Sequence, residues 1–148
     1  IAVFTRTAGS KVGATTMDRP EWIAVNPVAV EGYCCLTNNS RRGAKNDDGS
    51  IRTNAGGEPM VANAPNPRDL NNYGQIVRWR PAGDNHASNT FEWDRYVMAG
   101  NPTNEEGPYK GSANINEGNM FNSPDGMMFG VGMRGICAGS IPSTRSCR

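Results

Sequence analysis

Residues that form turns interrupt the sequence along its whole length. Glycine, asparagine and proline number 18, 17 and 10, which together make almost a third of the 148 residues. Gly and Asn accept positive φ angles and Pro fixes the φ angle of a turn corner, so few stretches are free to form a long helix. We therefore expect short strands joined by wide loops.

Six short segments have the composition or the alternation of β-strands. They are residues 1–7, 21–25, 32–37, 75–80, 90–98 and 127–129. No segment with helical periodicity separates them, so their order predicts an all-β meander. Two incomplete four-stranded units fit this order and suggest about two blades of a β-propeller, although periodicity alone does not distinguish a propeller from a β-sandwich.

Two connecting stretches are long and polar. Residues 38–70 and 101–119 show almost no apolar periodicity, and the first of them is rich in Asn, Gly and Pro. Connections in compact domains usually have about 4–6 residues. A loop as long as 38–70 is therefore expected to be either functional or disordered.

Charge and hydropathy exclude several classes of partner. The formal net charge is +1, which gives no electrostatic reason to expect binding to nucleic acid or to an anionic membrane. No apolar run approaches the ~20 residues that span a bilayer, and the first residues do not have the pattern of a signal peptide. No GxxxxGK loop is present, which excludes a P-loop nucleotide hydrolase.

The four cysteines and the single histidine do not form a zinc motif. Cys34 and Cys35 are adjacent, Cys137 and Cys147 come much later, and neither a CxxC nor a Cys/His spacing occurs. If 32–37 is a strand, Cys34 and Cys35 face opposite sides of it and are ordinary strand residues. His86 has no nucleophile motif beside it, so a structural role is expected.

Three polar segments stand next to predicted strands, where loop ends usually assemble sites. Residues 17–22 bring two carboxylates and an arginine to the start of a strand, which suits a hard cation or, alternatively, a surface salt bridge. Residues 38–43 contain Arg41 and Arg42, which suit a phosphate oxygen or, alternatively, a solvated turn. Residues 121–126 form a turn whose Asn and Asp suit a cation or stabilise the turn itself.

Taken in order, four segments of the chain resemble one family, the PhoX-type alkaline phosphatases. Each motif alone is weak, but their order and spacing look like the middle of the family pattern. The segments are 13–22, 36–43, 73–93 and 121–126, so the resemblance extends over roughly residues 10 to 130.

This resemblance implies a secreted enzyme that hydrolyses phosphate monoesters. It also implies a six-bladed propeller with a central cluster of iron and calcium, and twin-arginine export to the periplasm or the cell exterior. Glu21 matches a carboxylate that binds the cluster in the family, and Asp125 is expected to be a further ligand or to support one. Asn38 and Asn122 are expected to add amide oxygens to the metal site.

The paired arginines match a family motif that faces the same site, without an individual role for either one. Arg41 and Arg42 are expected to stabilise negative charge on the transferring phosphoryl group. Family members are several hundred residues long, so we expect the chain to be an internal segment that is inactive by itself. An iron-binding cysteine and a later Arg/Glu pair of the family fall outside residues 1–148.

The resemblance stops abruptly near residue 130. We expect residues 130–148 to be a tail that is not the native continuation of the blade, because they lack the strand that the family pattern places there. Two other classes stay open: a calcium-binding propeller of the lactonase type, which has similar Asn-x-Pro-Asp-Gly turns, and a non-catalytic interaction propeller. The sequence indicates no oligomeric state.

Overall fold

Strands dominate the structure, a computed structural model that describes residues 3–130 and the backbone of residues 136–139. The elements are α1 (Thr5–Lys11), β1 (Pro20–Val25), β2 (Gly32–Leu36), β3 (Gln75–Pro81), β4 (Phe91–Met98), β5 (Gly126–Phe129) and β6 (Ile136–Gly139), with 3-10 turns at Ala82–Asp84 and Gly107–Lys110. This composition confirms the all-β expectation. Among the described residues, no helix has the length and apolar character needed to cross a membrane.

The first four strands form one open antiparallel sheet, and their order in space follows their order in the chain. Cys34 in β2 stands opposite Ile23 of β1 and Val77 of β3. Every residue of β2 is buried, whereas most residues of β1 and β4 are exposed. The meander predicted from segments 21–25, 32–37, 75–80 and 90–98 is therefore confirmed.

A second, two-stranded ladder joins β5 to β6, with Gly126 opposite Gly139. It touches the main sheet where the backbone N–H of Trp22 donates to the carbonyl of Asp125 at 3.3 Å. β6 lies within the stretch expected to be a non-native tail, and that expectation stays a prediction. Residues 131–135 and 140–148 lie outside the described residues.

The strand predicted at residues 1–7 is wrong for the residues that the structure describes. Residues 5–11 form α1 instead, with a hydrogen bond of 2.9 Å from the Ala8 N–H to the Phe4 carbonyl. The apolar residues that suggest a strand end at Phe4, and the small and polar residues after it have no alternation. A short helix satisfies its backbone locally, whereas a strand here needs a neighbouring edge.

The main sheet has apolar residues on both faces. On one face Tyr33 and Cys35 pack with Ile76, Val97, Ile115 and Met127. On the other face Cys34, Leu36 and Val77 form a smaller cluster. Cys34 and Cys35 therefore face opposite sides, as predicted, and both are free thiols.

The long connection between β2 and β3 is structured rather than disordered. Three isolated β-bridges organise it, Asn39 with Asn71, Lys45 with Ile51 and Thr53 with Pro59. The first bridge closes the loop at its base, because the Asn39 N–H donates to the Asn71 carbonyl at 2.7 Å. This closure brings polar side chains from both ends of the loop against the segment that precedes β1.

Candidate functional site

A buried carboxylate organises the loops at the start of β1. Asp18 is fully buried, and its Oδ1 accepts hydrogen bonds from Arg42 Nε at 2.6 Å and Asn39 Nδ2 at 2.8 Å. Its Oδ2 accepts from Asn71 Nδ2 at 3.2 Å, and its backbone N–H donates to Asn66 Oδ1 at 2.8 Å. We call these five residues the Asp18 network.

Arg42 is fully engaged inside this network. It is 1% exposed, and besides the bond to Asp18 its Nη1 donates to the Val61 carbonyl and its Nη2 to the Thr16 carbonyl, each at 2.7 Å. A buried charge needs such partners, because desolvation costs free energy that only a counter-charge and hydrogen bonds can offset. The guanidinium thereby ties the long loop to the segment before β1.

The network continues through Asn71 to a second buried arginine. Arg68 Nη1 donates to Asn71 Oδ1 at 3.2 Å and to the Ala99 carbonyl at 2.8 Å. Its guanidinium also lies 5.8 Å from the ring centroid of Tyr109. Burial lowers the pKa of Arg68. Asp18, Asn71 and Arg68 thus hold the loop base against the end of β4.

Two segments that carry carboxylates meet where β1 begins. The register of β1 shifts between Pro20 and Ile23, so Glu21 lies where the pairing with β2 is irregular. The backbone N–H of the neighbouring Trp22 donates a hydrogen bond to the Asp125 carbonyl. We call Glu21 and Asp125 the carboxylate edge. Glu21 is exposed and Asp125 is half-buried.

Both carboxylates contribute to the raised pKa of the Cys35 thiol. Its pKa is raised to about 12, mainly by burial and further by the nearby Cys34, Asp125 and Glu21. Burial also raises the pKa of Cys34. Both thiols are therefore protonated near neutral pH.

Asn38 links the three motifs that the sequence singles out. Its Nδ2 donates to Ser123 Oγ at 2.9 Å, and its Oδ1 accepts from Arg19 Nη1 at 3.0 Å. The segments 17–22, 38–43 and 121–126 therefore converge. Asn122 is exposed beside this link, and His86 is exposed in the turn between β3 and β4, away from the three converging segments.

Arg41 points away from the Asp18 network. It is exposed and lines a cavity of about 770 Å³ with Arg6 of α1 and Arg19, a group that we call the arginine cavity. Arg42 does not line it. The structure thus separates the two predicted catalytic arginines, one exposed to solvent and one buried.

The predicted metal ligands are only partly assembled. Within residues 3–130, no three His, Cys, Asp or Glu side chains cluster closely enough to hold a metal ion. The carboxylate edge contributes two carboxylates, and Asn38 already uses its amide oxygen. Sequence reasoning missed Asn66, Asn71 and Arg68, because polar residues scattered in a long loop give no periodic signal.

Comparison with known proteins agrees with the resemblance found in the sequence. The family model described as alkaline phosphatase PhoX matches residues 1–133. The chain belongs to the PhoX family of alkaline phosphatases. No curated protein is significantly similar to it.

A solved structure of a PhoX protein is also similar. It is Pseudomonas fluorescens PhoX in complex with vanadate, a transition state analogue, with 52% sequence identity and a TM-score of 0.72. The match covers 85% of this chain and 20% of that protein. This PhoX chain therefore spans about a fifth of the length of the protein that it resembles.

Proposed function

We propose that the chain is an internal segment of a secreted phosphatase that hydrolyses phosphate monoesters at a cluster of iron and calcium. The observation that carries the proposal is the convergence of the three motifs at the carboxylate edge, next to the arginine cavity. The similar Pseudomonas fluorescens protein was solved with vanadate, a transition state analogue. In the longer protein, we expect the main sheet to be one blade of a six-bladed propeller.

The chemistry of the donors at the carboxylate edge fits a hard cation. Calcium takes 6–8 oxygen ligands, from carboxylates, amide carbonyls and water. Glu21 and Asp125 supply carboxylate oxygens, and the exposed Asn122 supplies an amide oxygen. Asn38 fits less well, since its oxygen accepts from Arg19. The remaining oxygen ligands, and any thiolate for iron, belong to parts of the longer protein outside this chain.

Bound cations would neutralise charge on the phosphoryl oxygens and orient the nucleophile. The chain's own contribution is positioning and charge. Arg41 is exposed, and its guanidinium can donate two parallel hydrogen bonds to phosphoryl oxygens as negative charge develops. Arg42 is buried against Asp18, so we assign it a positioning role, in which it fixes the loop that carries Arg41.

The test uses a hybrid in which this chain replaces the matching segment of the similar Pseudomonas fluorescens protein. Glu21→Gln in that hybrid should lower bound metal and hydrolysis of p-nitrophenyl phosphate together, by roughly 10–100-fold as for other lost metal-site partners. Glu92→Gln, an exposed position on β4, is the matched control and should change neither. Unchanged metal content and unchanged activity in the Glu21 variant would refute the assignment.

A further inference from the structure

The arginine cavity brings three cations together from three parts of the chain. Arg6 comes from α1, Arg19 from the segment before β1 and Arg41 from the long loop. Their convergence depends on the tertiary fold, because they are far apart in sequence. The cavity holds about 770 Å³, enough for a phosphate group and part of the molecule that carries it.

Among the residues that the structure describes, no carboxylate lines this cavity to neutralise the arginines. The ion pairs among the described residues use other cations, namely Arg42, Arg78, Arg80 and Lys110. Asp18 is adjacent to Arg19 in sequence, but it is buried and paired with Arg42. Three like charges in one concave surface focus a positive potential that attracts anions.

Two amide groups that line the cavity already donate to other residues. Asn39 Nδ2 donates to Asp18, and Asn54 Nδ2 donates to Thr16 Oγ1 at 2.7 Å and to Glu58 at 2.9 Å. The Arg6 and Arg41 guanidinium groups donate no hydrogen bond among the described residues, whereas Nη1 of Arg19 donates to Asn38. Planar guanidinium groups match the oxygens of a phosphate and bind them in pairs.

Arg19 is held in an unusual conformation that points to a binding role. Its φ angle is +37°, in a region that non-glycine residues rarely adopt. Its Nη1 donates to Asn38, and Asn38 in turn donates to Ser123, two residues before Asp125. Strained residues of this kind persist where the surrounding structure fixes them, often at ligand sites.

We infer that the arginine cavity is a phosphate-binding compartment in which Arg6 and Arg19 act together with Arg41, without a metal ion. The inference deepens the proposed function, since it adds two binding residues to the handling of the phosphoryl group. It also requires that inorganic phosphate binds to the chain when every metal ion has been removed.

Calorimetric titration of the 148-residue chain with inorganic phosphate in EDTA tests this inference. Saturable binding is expected, and Arg6→Gln and Arg41→Gln should each weaken it about fivefold to tenfold, as expected for lost charge-assisted hydrogen bonds at a partly open site. Arg52→Gln is the control, because it removes the same charge from an exposed residue outside the cavity. Equal affinity in all three variants, or no binding to a chain with a strand-type circular dichroism spectrum, overturns the inference.

A second measurement is used if circular dichroism shows that the 148-residue chain does not fold by itself. In the Pseudomonas fluorescens hybrid, inhibition by free phosphate should weaken about fivefold to tenfold with Arg6→Gln and stay unchanged with Arg52→Gln. Unchanged inhibition by phosphate in the Arg6 variant overturns the inference. If Glu21→Gln still loses metal and activity while Arg6→Gln leaves phosphate inhibition unchanged, the proposed function stands and only the inference about the arginine cavity fails.

Discussion

Replacing Asp18 by Asn should unfold much of the loop structure that surrounds the candidate site. The carboxylate accepts three side-chain hydrogen bonds, and its partner Arg42 is 1% exposed. An asparagine keeps the shape but offers one oxygen instead of two, and its amide group then faces other donors. Arg42 keeps its two backbone carbonyl partners but loses its counter-charge.

The expected loss is large because the pair is buried. Removing one partner of a buried ion pair costs about 3–5 kcal/mol, since the remaining charge stays desolvated. Small domains unfold with a free energy of about 5–15 kcal/mol. Asp18→Asn should therefore remove a large part of the stability of this chain.

Urea unfolding followed by tryptophan fluorescence measures this loss. Asp94→Asn is the control, because Asp94 pairs with Arg78 at a partly exposed site where an ion pair contributes about 0–1 kcal/mol. Asp18→Asn combined with Arg42→Met should be more stable than Asp18→Asn alone, because the unpaired charge is removed as well. A loss below about 1 kcal/mol for Asp18→Asn would refute the reasoning from burial.

Three further predictions address pH, thiol reactivity and turnover. The Arg78 hydrogen bonds lower the pKa of Asp94, so this pair stabilises the fold above the ordinary carboxyl pKa and loses its effect as pH falls. The difference in unfolding free energy between the chain and Arg78→Met should therefore shrink below about pH 4. A difference that does not depend on pH contradicts this. Cys34 and Cys35 should resist iodoacetamide at about pH 8 until the chain unfolds, because both are buried with raised thiol pKa values. Peptide mapping that finds either cysteine modified in the native chain contradicts this. With calcium and ferric iron supplied, the 148-residue chain alone should not hydrolyse p-nitrophenyl phosphate. The carboxylate edge supplies two carboxylates, whereas calcium takes 6–8 oxygen ligands. Turnover on the order of 10 per second would show a complete site.

The central strands were predictable because burial leaves a local pattern. β3 was expected at 75–80 and is Gln75–Pro81, and β4 was expected at 90–98 and is Phe91–Met98. Each has apolar residues that must pack on a sheet face, and turn residues mark where it ends. The strand expected at 1–7 had a short apolar run but no partner edge, and local helical bonds prevailed there.

The Asp18 network was not predictable from the same signals. The bonds from Asp18 to Asn66 and Asn71 join residues 48 and 53 positions apart. Such bonds depend on how the long loop closes, and a single sequence contains no periodicity that reports loop closure. Family resemblance singled out segments that converge in the structure, but it did not indicate which of their polar residues are buried.

The adjacent arginines show how much that distinction matters for function. The Asn39 side chain accepts the backbone N–H of Arg41 at 2.9 Å, and this Asx turn directs the chain so that consecutive side chains diverge. Arg42 then enters the protein and neutralises Asp18, while Arg41 stays in solvent with no ion pair among the described residues. Only a group that is free to form new hydrogen bonds can contact a phosphoryl oxygen without leaving a buried charge unpaired. The buried arginine therefore holds the loop in place, and the exposed arginine is the one that is free to bind an anion.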